Sequence, residues 1–231
     1  MQIKVIIPAS GKGSRFGGDL PKQFQRLDGQ PILKRTIAVF DEMDSISDIA
    51  VAVPVQYIST VENYGFDKVR HIIEGGVSRA ASVYAALKCL KARNSDIILI
   101  HDGARPFVTA EIIETVAAAA AKHGAAIACA PVTDTIKQTD PSGRITNTPD
   151  RSHLWHAQTP QGFTYEIITS AYAQADKDGI LNQATDDSFL IERMNLPVYI
   201  VQCPPSNIKI TTLEDMSTAE LLLKNGLYKN P

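Results

Sequence analysis

The sequence predicts an α/β fold, with a mainly parallel sheet and helices on both of its faces. Two observations carry that prediction. Short, continuous apolar runs recur through residues 1–132, and segments with helical spacing separate them. A third observation, a loop rich in glycines and cations after the first run, says where a ligand should sit. In open α/β sheets, ligands lie beyond the C-terminal ends of the strands.

The first strand is IKVIIP (3–8). DIAVAVP (48–54), KVRHIIEG (68–75), DIILIHDG (96–103) and AAIACAPV (125–132) repeat its pattern, and all read as strands buried on both faces. Helices are predicted in PILKRTIAVFDEM (31–43), SRAASVYAALKCLKA (78–92) and TAEIIETVAAAAAKHG (109–124). In the last, Thr109 is an N-cap and Gly124 a C-terminal stop. Near residue 133 the pattern changes to polar and β-branched residues around the turn signal Pro141-Ser142-Gly143. Residues 133–155 therefore read as a hairpin arm. It has little apolar surface, so it needs support, either from another subunit or from its own sheet. Beyond it, TPQGFTYEIITSAYAQADKDG (159–179) and DDSFLIERM (186–194) read as helices. PVYIVQC (197–203) and SNIKIT (206–211) read as strands, and TLEDMSTAELLLKNG (212–226) as a closing helix. One domain spanning 1–231, with the arm as an appendage, is the economical organisation.

The chain has 231 residues, 44% hydrophobic and 21% charged, an ordinary globular composition. A net charge of −2 gives no general basic field, so no nucleic-acid partner is expected. Cys89, Cys129 and Cys203 are scattered and odd in number, which fits a reducing compartment and neither a disulfide frame nor a zinc site. No apolar run reaches membrane-spanning length, and the N-terminus opens directly into a strand, so a cytoplasmic location is expected.

The stretch PASGKGSRFGGDLPKQF (8–24) concentrates the chemistry. Glycines 11, 13 and 17 do not complete the dinucleotide fingerprint, because Phe16 stands where a glycine or alanine is needed. No G-x-x-x-x-G-K-[ST] occurs, so a P-loop is excluded. A plain strand-to-helix turn would explain the glycines, but not Lys12, Arg15 and Lys22 beside them, with Arg26 just beyond. Glycines let backbone N–H groups approach phosphate oxygens, Arg15 can bind a phosphate bidentately, and Lys22 offers a point charge. A triphosphate is the ligand this loop suits.

Seven ordered blocks carry a resemblance across nearly the whole chain: PASGKGSRF…PKQF, GGVSRAASV, HDGARPF, APVTDTIK, DRSHLWHAQTPQGF, ATDDSFLIE and SNIKIT. Together they resemble the 2-C-methyl-D-erythritol 4-phosphate cytidylyltransferase family. That resemblance implies a Rossmann-like nucleotidyltransferase sheet, with a projecting β-arm that crosses to the partner of a homodimer. It implies a reaction between CTP and methylerythritol phosphate, releasing diphosphate, in the non-mevalonate isoprenoid pathway. By the same resemblance, Arg15 and Lys22 stabilise the pentacoordinate α-phosphorus, and Ala9, Ser10, Gly11 and Gly13 bring backbone groups to the nucleotide. Gly75, Gly76 and Ser82 match positions that read the base; two glycines admit a flat pyrimidine edge. Asp102 would reach a ribose or acceptor hydroxyl, or a metal ion; the plain alternative is a pair with Arg105. Arg105, Thr135, Arg151, Thr159 and Lys209 are assigned to the acceptor, with Arg151 and Lys209 gripping its phosphate. The plain alternative for Lys209 is an edge-strand lysine.

Mg²⁺ is expected, held mainly through the CTP phosphates, since this ion keeps several waters. No D-x-D pair occurs near Asp102, so no protein ligand is assigned. Asp186 and Asp187 read as solvated helix-start residues, and His153 and His156 as packing or hydrogen-bonding groups. The neighbouring possibility is a ribitol-5-phosphate cytidylyltransferase, which shares the PKQF, HD-x-x-RPF and TPQ blocks. Gly103-Ala104 and Trp155-His156-Ala157 look more like the methylerythritol enzymes. A non-catalytic nucleotide sensor is the alternative from another class.

Overall fold

The computed structural model describes residues 1–11, 13, 16, 17 and 20–226. Lys12 and Arg15, singled out in the sequence, lie outside the described residues. The strands of the main sheet are β1 (Ile3–Pro8), β4 (Ile46–Val53), β5 (Val69–Glu74), β6 (Ile97–Ile100), β7 (Ala125–Pro131), β10 (Trp155–Thr164) and β11 (Tyr199–Gln202). The two-residue strands β2 (Arg26–Leu27) and β3 (Gln30–Pro31) form a small ribbon, and β8 (Gln138–Thr139) pairs with β9 (Ile145–Asn147). The helices are α1 (Ile32–Asp41), α2 (Ile58–Glu62), α3 (Arg79–Cys89), α4 (Ala110–His123), α5 (Tyr165–Lys177), α6 (Ser188–Arg193) and α7 (Leu213–Lys224).

The main sheet runs β11-β7-β10-β6-β1-β4-β5. Every pairing in it is parallel except those of β10, which lies antiparallel between β6 and β7. Alternation sends successive side chains to opposite faces. Val5 and Ile7 of β1, with Ile97 and Leu99 of β6, pack with α1 and α4 on one face. Ile6, Ile98 and Ile100 pack with α3 and α5 on the other. Fully buried runs such as IILI thus reflect helices on both sides, as the sequence predicted. The exceptions are the two edge strands, β5, only partly buried, and β11, mostly exposed.

The helix signals of TAEIIETVAAAAAKHG hold. The Thr109 hydroxyl accepts a hydrogen bond from the Ile112 N–H, and Gly124 ends α4 at a φ of 88°. Two predicted elements change. TPQGFT is the second half of β10, and helix α5 starts only at Tyr165. Its buried polar residues, Gln158, Thr159 and Gln161, disguised a central strand. SNIKIT is not a strand but an irregular segment. The Arg105 guanidinium donates to the Asn207 carbonyl at 2.7 Å, and the Ile210 N–H to the Ala104 carbonyl at 2.9 Å. The PSG turn appears as expected: the Asp140 carboxylate accepts from the Ser142 and Arg144 N–H groups, and Gly143 has a φ of 86°. Strands β8 and β9 are exposed throughout, so they are not tucked against their own sheet.

Candidate active site

The loops after β1 and β6 leave the sheet side by side and form the floor of a pocket. Pro8, Ala9 and Gly11 line it from the first, and Asp102, Gly103 and Ala104 from the second. Lys22, Arg79 and Lys209 bring three cations to it. This is the edge at which the sequence placed the ligand.

The β1 loop is pinned from below. Ala9 donates its N–H to the Ala52 carbonyl at 2.7 Å, extending the β1–β4 ladder. The Gln23 side chain, 2% exposed, donates to the carbonyls of Ala9 (2.6 Å) and Gly11 (3.0 Å). Those carbonyls are thereby turned into the protein. Gln23 is carried on a short 3₁₀ turn, Lys22–Phe24, anchored by Phe24 stacking on Tyr57 at 4.0 Å between ring centroids. Lys22 is the first residue of that turn, so the same packing that holds Gln23 sets the lysine at the pocket. Gly13 crosses close to it; a Cβ there would stand 3.2 Å from the Lys22 nitrogen.

Gly75 and Gly76 serve a packing role that the sequence did not reveal. A Cβ on Gly75 would overlap the Ser10 side chain, and one on Gly76 would overlap Ala81. The two glycines let β5 end against both the β1 loop and the start of α3. Ser82 is fully buried, and its hydroxyl donates to the Ser78 carbonyl at 2.8 Å. Its oxygen therefore accepts from the Ser10 hydroxyl at 2.7 Å. Ser82 thus sits behind the loop and fixes Ser10, rather than lining the pocket.

Asp102 is the electrostatic centre. Its Oδ1 lies 2.9 Å from Arg79 Nε, and its Oδ2 lies 2.8 Å from Lys209 Nζ and 3.6 Å from Arg105 Nε. Burial alone would raise the carboxyl, but the three cations outweigh it and hold Asp102 well below the usual carboxylate range. The expected Asp102–Arg105 pair exists, yet it is the longest of the three contacts. Arg105 is buried behind the pocket, and burial lowers its pKa. Arg79 also reaches Asp187 at 2.7 Å, and Asp187 accepts from the Tyr172 hydroxyl at 2.5 Å. Asp187 is fully buried, which corrects the expectation of a solvated helix-start residue.

Thr159 lies beneath Asp102 and is 4% exposed. Its oxygen accepts the Asp102 N–H at 3.1 Å, and it pairs with His101 Nδ1 at 3.1 Å. His101 is fully buried, and burial lowers its pKa to about 4. The ring is therefore neutral near pH 7. Its other nitrogen, Nε2, faces the Arg105 carbonyl at 3.0 Å and must be the donor there. Nδ1 then accepts from the Thr159 hydroxyl, so every proton in this chain has one assignment. The Asn207 amide, also buried, donates to Gln158 Oε1 (3.0 Å) and to the Thr159 carbonyl (2.8 Å). That anchor carries the irregular segment across the pocket and delivers Lys209, whose role as a surface edge lysine is excluded by its pairing with Asp102.

Ala9, Gly11, Lys22, Asp102 and Lys209 line one pocket, while Ser10, Ser82, Arg105 and Thr159 support them from behind. Thr135 and Arg151 are not in this pocket. Both are exposed on the arm, and Arg151 donates to the Thr133 carbonyl. Sequence reasoning missed Arg79, Gln23 and Asn207, and read Asp187 as solvated. All four lie inside the quoted blocks, but none sits at a position that composition singles out. Among the described residues, no group of three His, Cys, Asp or Glu side chains is placed to hold a metal ion.

The fold and this pocket define a protein of the α/β class that gathers three cations around a glycine-lined cradle beyond the strand ends. Comparison with known proteins narrows the class. The family model of IspD, 2-C-methyl-D-erythritol 4-phosphate cytidylyltransferase, matches residues 3–225, and the chain belongs to that family. The 2-C-methyl-D-erythritol 4-phosphate cytidylyltransferase of Alkaliphilus oremlandii is 46% identical, over 96% of this chain and 95% of its own length. The enzyme of the same description from Symbiobacterium thermophilum is 43% identical, over 96% and 93%. Among solved structures, the Francisella tularensis 2-C-methyl-D-erythritol 4-phosphate cytidylyltransferase superposes with a TM-score of 0.84 at 30% identity, covering 96% of this chain and 99% of that one. The 4-diphosphocytidyl-2C-methyl-D-erythritol synthase of Anaerococcus prevotii reaches a TM-score of 0.86 at 28% identity, covering 96% of both chains.

Proposed function

We propose that this chain joins CTP and 2-C-methyl-D-erythritol 4-phosphate, giving 4-diphosphocytidyl-2-C-methyl-D-erythritol and diphosphate, in non-mevalonate isoprenoid biosynthesis. The observation that carries this reading is the family match over residues 3–225 on a chain whose pocket holds three cations. An oxygen of the acceptor phosphate attacks the α-phosphorus of CTP in line. The bond from that phosphorus to the β-phosphate bridging oxygen breaks, and diphosphate leaves with the electron pair. The acceptor phosphate is already largely ionised at neutral pH, with a second pKa of about 6, so no general base is needed. Positioning and electrostatics supply the catalysis.

Lys22 and Arg15 neutralise charge on the triphosphate as it builds in the transition state. The backbone of Ala9, Gly11 and Gly13 cradles the nucleotide, and Gly75 and Gly76 leave room for a pyrimidine. Asp102 keeps lone pairs for a hydroxyl of either substrate, and Lys209 draws the acceptor phosphate in. Mg²⁺ would be bound mainly through the CTP phosphates. Asp102 is the one carboxylate among the described pocket residues, and its oxygens already face Arg79 and Lys209, a donor set that suits an ion carried in by its nucleotide. When bound, the ion supplies further neutralisation of phosphate charge.

Arg151 and Thr135 complete the acceptor site from a second copy of the chain, in a homodimer whose arms cross. The exposed hairpin, and the fact that Arg151 is not among the residues lining its own pocket, support that reading. A cytoplasmic location fits a pathway enzyme acting on two soluble phosphates, and no helix among the described residues is long and apolar enough to cross a membrane.

The test is diphosphate release from CTP with each of two acceptors. Methylerythritol phosphate should give turnover and ribitol 5-phosphate little. The reverse preference would move the chain to the ribitol reaction, and silence with both would make it a binding protein. Arg151→Ala should damage use of the acceptor more than binding of CTP. Mixed with Lys22→Ala, it should regain some activity; verified mixed dimers that stay inactive would rule out a shared site.

A further inference from the structure

Arg79 enters the pocket from the first turn of α3, beside its N-cap Ser78, and touches two acidic residues from distant parts of the chain. Nε meets Asp102 after β6, and a terminal nitrogen meets Asp187 at the start of α6. Neither contact is an ordinary surface pair. Asp187 is fully buried and Asp102 nearly so. A planar guanidinium holding two carboxylates through different nitrogens has its orientation fixed, which a lysine could not achieve. Asp187 is itself fixed. Its Oδ1 accepts from Tyr172, and its N–H donates to Gln161 Oε1 at 3.0 Å. Tyr172 is fully buried, and burial together with Asp187 raises its pKa well above the usual value, so the hydroxyl remains a donor. The order of fixed contacts is thus Tyr172, Asp187, Arg79, Asp102, Lys209, and it runs from the core on the α5 side to the pocket.

We propose that Arg79 is a positioning residue for the transfer reaction, orienting the Asp102 carboxylate and, through it, the Lys209 ammonium. This rests on the cytidylyltransferase reading above. Without Arg79, Asp102 would have two cations on one side and could rotate away from the alignment that keeps Lys209 over the pocket. Asp187 is the second half of the device, because it prevents the guanidinium from swinging out with its other end free.

Steady-state kinetics on the full chain test this, with thermal midpoints measured in parallel. Asp187→Asn keeps the shape of the side chain and removes the charge that anchors Arg79. It should lower kcat with the polyol phosphate about tenfold or more while leaving the CTP KM within about twofold. Arg79→Lys should do the same, because it keeps the charge and loses the bridge. Arg79→Ala should be partly restored by added methylguanidinium and not by methylammonium. If Arg79→Ala does not fold, the first two variants decide. Folded Asp187→Asn and Arg79→Lys proteins with wild-type kcat would overturn the proposal. So would losses that simply follow a falling thermal midpoint and ignore methylguanidinium. An inactive wild-type chain would instead remove the cytidylyltransferase reading itself.

Discussion

The pocket and the arm are built from opposite materials. Around Asp102, charged and polar groups are buried or half-buried, and each is held by partners from far along the chain: Arg79, Lys209 and Thr159 lie 23, 107 and 57 residues away. In the arm, β8 and β9 are fully exposed, and the bonds that shape the turn come from Asp140 to residues two and four positions on. The pocket is pre-organised by the fold, whereas the arm has only its own local order. Local order without burial is weak by itself. In the homodimer proposed above, the arm would be completed by contact and the pocket by ligand.

The largest expected effect lies on the pocket side. Lys22→Ala should lower kcat about a hundredfold or more, on the order of 3 kcal/mol, as for loss of a transition-state donor. Its thermal midpoint should stay near that of the wild type. Activity within a few-fold of normal would remove Lys22 from the mechanism.

A comparable effect is expected from acid. His101 is neutral in the fold with a pKa of about 4, against about 6.5 when unfolded. The unfolded chain thus binds the extra proton between those values. The stability contribution is complete above about pH 6.5 and is lost as pH falls toward 4, by about 3 kcal/mol. Asp102, held below its usual range, adds loss of the same sign only below about pH 4. Denaturant midpoints from pH 7 to 4.5 check this, and a His101→Gln variant should flatten the slope. An unchanged slope would mean that another group carries it.

Two glycine substitutions then sharpen the contrast. Gly75→Ala forces a methyl into Ser10 and should cost about 1–3 kcal/mol by overpacking, with weaker CTP binding in a titration. Gly143→Ala, in the arm turn, meets nothing within 4 Å and suffers only from its φ of 86°, about 1 kcal/mol. Because that strain is confined to an exposed turn, the midpoint of global unfolding should barely move. If Gly143→Ala destabilised the whole domain as much as Gly75→Ala, the arm would be part of the cooperative core.

The same contrast explains what sequence could and could not reveal. The buried runs of β1, β4, β6 and β7 were plain, because helices on both faces demand continuous apolar residues. So was α4, with Thr109 and Gly124 marking its ends. The hidden element was β10, since Gln158, Thr159 and Gln161 satisfy their polar groups through tertiary hydrogen bonds that no local pattern records. The site followed the same rule. Lys22 stood out beside a glycine loop, whereas Arg79 looked like any first-turn helix residue. Its meaning depends on Asp187, 108 positions away. SNIKIT had the composition of a strand, but Asn207 bonds across to Gln158 and the Thr159 carbonyl and holds it irregular.

One feature of the sheet bears on how this architecture can be altered. The strand that returns from the arm, β10, begins at Trp155 and carries Thr159 a few residues later, directly under the Asp102 backbone. The seam between appendage and floor is thus one strand, whose pairing with β7 shifts register between Ala157 and Gln161, where Thr159 sits. Arms cannot be exchanged between relatives as detachable modules: any graft must import β10 with its register intact, or shift the foundation on which Asp102 rests.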